Sequence, residues 1–334
     1  MKNQTSVTLK ATTAAFLMLL LLIMLQSCRS SAYNAGVKEV SKGDSLSFIV
    51  VGDWGKGKGA QRSVARSMDK VARTHNTQFI ISTGDNFYYK GVSSTADKQW
   101  KKKFESVYWR ASQQVPWYPV LGNHDYGLNP QAQVDYSLTS DRWRMPARYH
   151  QLIKAVDSAS EALFVFLDTS PFLRGYHTSF MSDLALQDTG AQKVWMAETL
   201  NRPFNGWKIV VGHHPVYSAG LHGSTPELGA SFPPLFHSSA TDFYLSGHDH
   251  SLQYLQEEGV KIAYLVSAGG SEKRKVATHR SARFARSMTG FLVMTLYSDS
   301  ARFYFYNKRG TVVHSNIMKK ERGNGDLLIP VLPD

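Results

Sequence analysis

Short apolar runs alternate with amphipathic segments through the first two thirds of the chain. The run SLSFIVV at 45–51 is typical of a buried strand, and QRSVARSMDKVARTH at 61–75 has the apolar spacing of a helix. The alternation continues with a strand at 77–82 and a predicted helix at 96–109, and from residue 261 onwards strands follow one another. This order predicts one layered α/β domain rather than two separate domains.

Five of the predicted strands end in a polar cluster. The clusters are GDWG (52–55), GDNFY (84–88), GNHD (122–125), VVGHH (210–214) and GHDH (247–250). Ligand sites in open α/β sheets gather at the carboxyl ends of strands, and a glycine before a polar residue lets the backbone turn closely. We therefore expect one crevice that contains Asp53, Asp85, Tyr88, Asn123, His213, His248 and His250, with His124 and His222 nearby.

The chemistry of these side chains indicates a metal site. Carboxylate, imidazole and amide groups without a thiolate suit hard or borderline metal ions, and the set is too large for one ion. Two ions about 3.5–4 Å apart, bridged by Asp85, would use all seven side chains and form a centre of the kind that phosphatases and nucleases use. Each residue alone can be explained by an ordinary structural role, in a turn, at a helix cap or as a hydrogen-bonded histidine. The combination of all seven cannot be explained in that way.

The order of these motifs resembles that of the calcineurin-like metallophosphoesterases. Within them the chain is similar to the purple acid phosphatases, especially the small tartrate-resistant type. The resemblance extends over residues 46–315 and includes PWYPVLGNHD and GHDHSLQYLQ outside the ligand positions. It implies a four-layer α/β/β/α sandwich with two mixed β-sheets and a catalytic domain at 46–320.

The tyrosine after the second Gly-Asp pair carries the more specific resemblance. In purple acid phosphatases the residue three positions after that aspartate is a tyrosinate ligand of iron(III), and Tyr88 matches it, with Tyr89 as the alternative. A phenol with an ordinary pKa of about 10 ionises at working pH only on a strong Lewis acid. The resemblance implies an iron(III) site and a site for zinc, iron(II) or manganese, with the ligand sets Asp53, Asp85, Tyr88, His250 and Asp85, Asn123, His213, His248.

The resemblance also implies the activity. We expect a dimetal acid phosphatase that hydrolyses small phosphate monoesters by attack of a metal-bound hydroxide on phosphorus, with His124 and His222 as proton donors to the leaving group. His222 is matched only by the context SAGLHG, so a surface-loop histidine is the alternative. The other functions to consider are a related phosphoesterase for phosphodiesters, pyrophosphates or phosphoproteins, and a non-catalytic binding protein.

Three further features lie in or near the motifs. Asp125 and Asp249 match no ligand position, and His214 is either a ligand or a neighbour of the ligands. The segment 168–190 corresponds to a loop that restrains activity in mammalian relatives until it is cleaved. It lacks the cysteine of that loop, which excludes redox control and leaves cleavage control as a hypothesis.

The amino terminus has the pattern of an export signal. Lys2 and Lys10 precede an apolar run at 14–25, which is short for a membrane span and ends near the lone cysteine, Cys28. This resembles a bacterial lipoprotein signal at 1–27, although Gln26 stands where a small residue is usual, and ordinary secretion or an uncleaved anchor is the alternative. We expect an exported lipoprotein attached to the membrane through lipidated Cys28 and facing the periplasm or the cell surface, with a flexible tether at 28–45 and a tail at 321–334.

Composition adds few constraints. A hydrophobic content of 43% with 19% charged residues is that of a globular protein and argues against general disorder. The formal net charge is +12, but the densest basic run is KKK at 101–103, so we expect no nucleic-acid partner. The sequence carries no signal for the oligomeric state.

Overall fold

The computed structural model describes residues 43–57, 59–178 and 183–320. The predicted signal peptide at 1–27, Cys28, most of the tether at 28–45 and the tail at 321–334 lie outside these residues. Within the described ranges, no helix is both long and apolar enough to cross a membrane.

Thirteen strands and four α-helices form the framework of the described residues. In chain order the strands are β1 (Leu46–Val51), β2 (Phe79–Ser82), β3 (Trp117–Pro119), β4 (His150–Ala155), β5 (Glu161–Phe166), β6 (Gly206–Val211), β7 (Phe243–Ser246), β8 (Leu252–Leu255), β9 (Ala263–Ser267), β10 (Ala282–Arg286), β11 (Gly290–Leu296), β12 (Ser300–Asn307) and β13 (Val312–Lys319). The helices are α1 (Gly59–His75), α2 (Gln131–Tyr136), α3 (Thr189–Asn201) and α4 (Pro226–Ser238).

The strands form two mixed sheets. One has the order β13-β12-β11-β1-β2-β3, and the other has the order β10-β8-β9-β7-β6-β5-β4. In the first sheet β1, β2 and β3 are parallel neighbours, and in the second β5, β6, β7 and β9 are parallel neighbours. Because neighbouring parallel strands run in the same direction, their carboxyl ends lie side by side at one end of each sheet.

The alternation of side chains along β1 explains the layers. Phe48 and Val50 face the second sheet and belong to a core that also contains Phe164, while Ile49 and Val51 point to the opposite face and pack with residues of α1. A third cluster lies on the outer face of the second sheet, against α3 and α4. Both faces of β1 are buried, as expected for a central strand covered on both sides. The predicted four-layer sandwich with two mixed sheets is confirmed.

Trp54 fixes the turn that follows β1. Its indole is fully buried, and its Nε1 donates a hydrogen bond of 2.8 Å to Oγ of Ser82 at the end of β2. The ring packs edge-on against Phe87 and Trp117, with centroid distances of 5.6 and 6.0 Å. The residue next to Asp53 is thereby fixed to the end of β2, to the turn after β2 and to the start of β3.

The sequence pattern did not predict every element. Helix α4 contains Pro233 and Pro234, which remove backbone donors and usually argue against a helix. It forms because three apolar side chains spaced four residues apart (Leu228, Phe232 and Phe236) are fully buried against the second sheet. The predicted helix at 96–109 is a single π-helical segment, Trp100–Glu105, and the short strands β4, β8 and β10 were not predicted.

Candidate metal centre

The expected crevice exists where the two sheets present their carboxyl ends. Asp53 follows β1, Asp85 follows β2 and Asn123 follows β3, while His213 follows β6 and the GHDH segment follows β7. The structure brings all seven predicted metal ligands together, in two groups of donor atoms that have Asp85 in common.

The first group surrounds the phenol oxygen of Tyr88. This oxygen lies 2.8 Å from Oδ2 of Asp85, 3.0 Å from Oδ1 of Asp53 and 3.1 Å from Nε2 of His250. All four side chains are buried. Tyr89 is 62% exposed and lies outside the group, so the geometry favours Tyr88 over the alternative.

The second group surrounds Nε2 of His213. This nitrogen lies 3.1 Å from Oδ1 of Asn123, 3.2 Å from Nδ1 of His248 and 3.5 Å from Oδ1 of Asp85. The two oxygens of the Asp85 carboxylate therefore face different groups. A carboxylate in this position can bridge two ions.

A main-chain carbonyl sets the tautomer of His213. Its Nδ1 lies 2.8 Å from the carbonyl oxygen of Thr83, and only a protonated nitrogen can make that bond. The lone pair of the neutral imidazole is therefore on Nε2, which faces the other donors of the second group. Orientation of a ligating histidine through its other nitrogen is usual in metal sites.

The turns that carry the ligands have strained backbone conformations. Asp53, Asp85, His248 and His250 all have positive φ, at 57°, 52°, 73° and 47°. Side chains other than glycine rarely adopt this conformation, and where they do they cluster at functional sites. Gly122 allows the turns after β2 and β3 to approach closely, because a Cβ there would overlap the backbone nitrogen of Asp85.

Electrostatics in the crevice favour the binding of cations. Burial and the neighbouring Asp85 charge raise the pKa of Asp53 well above its ordinary value. Burial and the two carboxylates likewise raise the pKa of Tyr88, whereas burial and nearby histidines lower the pKa of His248 well below its ordinary value. Bound cations would offset the repulsion between the oxygen donors, and neutral imidazoles have a free lone pair for a metal ion. The donor set thus fits metal ions.

Comparisons with known proteins agree with this geometry. Residues 46–252 match the family model described as calcineurin-like phosphoesterase. Purple acid phosphatase 7 of Arabidopsis thaliana is 33% identical over 85% of this chain and 89% of its own, and rabbit tartrate-resistant acid phosphatase type 5 is 35% identical over 68% of this chain and 73% of its own. The chain belongs to the purple acid phosphatases. It is therefore a hydrolase of the calcineurin-like family that cleaves phosphate monoesters at a dimetal centre.

Two solved structures share the fold. GAP50 of Plasmodium, described as the anchor in the inner membrane complex, has a TM-score of 0.75 at 24% identity, over 84% of this chain and 90% of that chain. The purple acid phosphatase PPD1 of yellow lupin has a TM-score of 0.63 at 13% identity, over 84% of this chain and 54% of that chain. At these identities the likeness shows the fold alone.

His214 lies beside the second donor group of this purple acid phosphatase. The Thr169 hydroxyl accepts hydrogen bonds from the backbone N–H groups of His213 and His214, at 3.2 and 3.1 Å, so its own proton points to Nδ1 of His214 at 2.9 Å. The other ring nitrogen lies 3.2 Å from the hydroxyl of Tyr176. Both nitrogens of His214 are therefore occupied, and the residue is a neighbour of the ligands in this arrangement.

The two aspartates without a ligand match hold the loops together. Asp125 accepts hydrogen bonds from the backbone of Asn86 and Phe87, at 3.1 Å each, and of Gly122, at 2.9 Å, and so joins the turns after β2 and β3. Asp249 accepts from the Ser218 hydroxyl and, at 2.9 Å, from the backbone of His222.

The two predicted proton donors lie beside different donor groups, His124 beside the first and His222 beside the second. The backbone N–H of His124 donates to Asp85 at 2.9 Å, and its Nδ1 lies 2.8 Å from the Tyr89 carbonyl oxygen. The ring of His222 lies 4.4 Å from that of His248, and its Nε2 contacts the guanidinium of Arg274. Both histidines border the donor groups without belonging to them.

Sequence reasoning missed Glu272, which packs behind the first donor group. One carboxylate oxygen lies 3.4 Å from Nδ1 of His250, on the side of the ring away from Tyr88, and also pairs with Lys56. Among the described residues Nδ1 of His250 has no hydrogen-bond partner, so this contact is a close approach of the two groups and not a hydrogen bond. The sequence context of Glu272, GGSEK, has no motif that would have identified it.

Proposed function

We propose that this phosphatase holds iron(III) in the first donor group and a divalent ion (zinc, iron or manganese) in the second, and hydrolyses small phosphate monoesters at acid pH. The observation that carries the proposal is the Tyr88 oxygen, which lies within 3.1 Å of donors from Asp53, Asp85 and His250. Two carboxylates and a phenol are a hard oxygen set that suits a trivalent ion. Because burial and the carboxylates raise the pKa of Tyr88, the phenolate needs a strong Lewis acid to form here.

The second group differs in charge. Asn123 is neutral, and burial lowers the pKa of both His213 and His248, so they remain neutral imidazoles. The shared Asp85 is then its sole anionic donor, which leaves net positive charge available for a phosphate oxygen. When bound, the two ions activate a water for attack on phosphorus and neutralise charge on the phosphoryl oxygens.

His124 is the proton donor that the geometry favours. Its Nδ1–H donates to the Tyr89 carbonyl, so Nε2 is the nitrogen that can take up a proton and pass it to the leaving oxygen. His222 is less available, because a guanidinium is only a donor and Nε2 of His222 must accept from it. Proton donation from that nitrogen requires Arg274 to move away first.

Metal removal tests the proposed function. We expect chelated protein to lose hydrolysis of phenyl phosphate, and activity to return only when iron(III) and a divalent ion are supplied together, because Asp85 joins both groups. Metal content by mass spectrometry should approach two ions per chain. Full activity with a single ion per chain would contradict the two-site assignment.

Replacement of His124 tests the proton donor. We expect His124→Ala to lower kcat for phenyl phosphate by about two to four powers of ten while both metals stay bound, since the leaving oxygen loses its proton source. His237→Ala, an exposed histidine in the last turn of α4, is the matched control and should leave kcat unchanged. Wild-type kcat in His124→Ala would remove the residue from the mechanism.

We further propose that the chain is exported and anchored through Cys28. The support is the sequence alone: flanking lysines, a short apolar core and LQSC at 25–28. In a bacterial host we expect palmitate labelling of the wild type and none of Cys28→Ser, whose phosphatase activity should stay intact. An unlabelled wild type, or equal labelling of Cys28→Ser, would overturn the proposal.

A further inference from the structure

We propose that Arg274 binds an anionic group on the leaving side of the substrate and so selects phosphate monoesters whose alcohol carries a carboxylate. This inference rests on the proposed function and adds a specificity-determining residue to it. Arg274 belongs to the strongly basic stretch 273–286, between β9 and the end of β10. Its side chain is half-buried, whereas the neighbouring Lys273 and Lys275 are exposed.

The backbone holds Arg274 beside the metal centre at two points. Its own N–H donates a hydrogen bond of 2.8 Å to the carbonyl of His250, the last residue of the GHDH motif. Two residues later Val276 forms an antiparallel bridge with Gly220, and Ala277 donates to the carbonyl of Ala219 at 2.7 Å. The segment is thus fixed to the loop that carries His222.

The guanidinium lies at the edge of the second donor group. It contacts Nε2 of His222, whose ring lies 4.4 Å from that of His248. One imidazole therefore separates Arg274 from a proposed metal ligand.

The charge of Arg274 is available for a ligand. A guanidinium stays protonated at all working pH values and has five N–H donors, of which the contact with a neutral imidazole uses few. Within residues 43–57, 59–178 and 183–320 no carboxylate forms an ion pair with it. Glu272 is paired with Lys56. Burial raises the pKa of Asp249 and the Arg274 charge opposes that rise, but this carboxylate accepts its hydrogen bonds from Ser218 and His222. A carboxylate matches the planar fork of arginine and makes two charge-assisted hydrogen bonds with it.

The position of Arg274 determines which part of the substrate its guanidinium would contact. Proton donation by His124 or His222 would require the leaving oxygen of a phosphoryl group held between the donor groups to face these histidines. Substituents on that alcohol would then come near the guanidinium, which contacts His222, while the phosphoryl oxygens would face the donor groups. Arg274 should therefore affect the choice of alcohol more than the binding of phosphate.

A matched pair of substrates tests this. 3-Phosphoglycerate and glycerol 3-phosphate differ by a carboxylate in place of a hydroxymethyl group. We expect Arg274→Ala to lower kcat/KM for 3-phosphoglycerate about tenfold, mainly through KM, and to change that for glycerol 3-phosphate by less than about twofold, since only the former loses a charge-assisted bond. Arg274→Lys should fall between, because it keeps the charge and loses the fork.

Two control variants distinguish direct binding by Arg274 from a general charge effect and from an effect through His222. Lys275→Ala removes the same charge from an exposed neighbour and should change neither substrate by more than about twofold. In a His222→Ala background, Arg274→Ala should still reduce the preference for 3-phosphoglycerate if the guanidinium binds the substrate directly. Loss of the effect in that background, equal losses on both substrates, or no loss on either would each overturn the proposal.

Binding measurements make the result independent of turnover. Calorimetric titration of the wild type and Arg274→Ala with each compound should show weaker binding of 3-phosphoglycerate alone in the variant. If neither compound is hydrolysed but this difference is found, the proposed function fails and the assignment of Arg274 stands. If both are hydrolysed and the variant binds them as the wild type does, the assignment fails and the proposed function stands.

Discussion

The burial of Asp53 and Asp85 beside the phenol of Tyr88 is the constraint on which the rest of the site depends. Two carboxylates removed from water and placed within hydrogen-bond distance of one oxygen repel each other and lose their hydration, a combination that proteins tolerate only with compensating charge. Hydrogen bonds from the backbone of His124 and His248 offset part of this cost. Bound cations would supply the remainder, and the site is built around that requirement.

Strand pairing and sheet packing fix the positions of the turns that carry the site. Parallel pairing of β1 with β2 and of β6 with β7 puts the carboxyl ends of each pair side by side, and packing of the two sheets brings the pairs together. Left-handed backbone at Asp53 and Asp85 would be unfavourable in isolation. It persists because Trp54 and Asp125 tie the same turns to the core and to one another.

Local pattern was sufficient for the central strands and for the residues at their ends. The strands β1, β2, β6 and β7 are largely apolar, and a glycine followed by a polar residue stands directly after β1, β6 and β7 and two residues after β2. Their positions and the candidate ligands could therefore be predicted together. Helix α4 could not be predicted, because its two prolines argue locally against the helix that tertiary burial of Phe232 and Phe236 stabilises. Strand β10 could not be predicted either, because it is an exposed edge strand in which Phe284 alone is buried.

The surroundings of the ligands were beyond the reach of sequence reasoning for a different reason. The group that orients His213 is the carbonyl of Thr83, which every residue type possesses, and Glu272 and Arg274 reach the site from a connection with no recognisable motif. Their roles depend on contacts between residues that are far apart in the sequence, and these contacts are seen only in the folded structure.

The visible absorption spectrum of the aerobically purified protein, recorded beside that of Tyr88→Phe, tests the central claim most directly. A phenolate bound to iron(III) gives a broad charge-transfer band, so the account predicts a purple wild type and a variant that loses the band while it still folds. A colourless wild type with two bound ions and good phosphatase activity, or a band that survives in Tyr88→Phe, would contradict it and make Tyr88 a neighbour of the metals rather than a ligand.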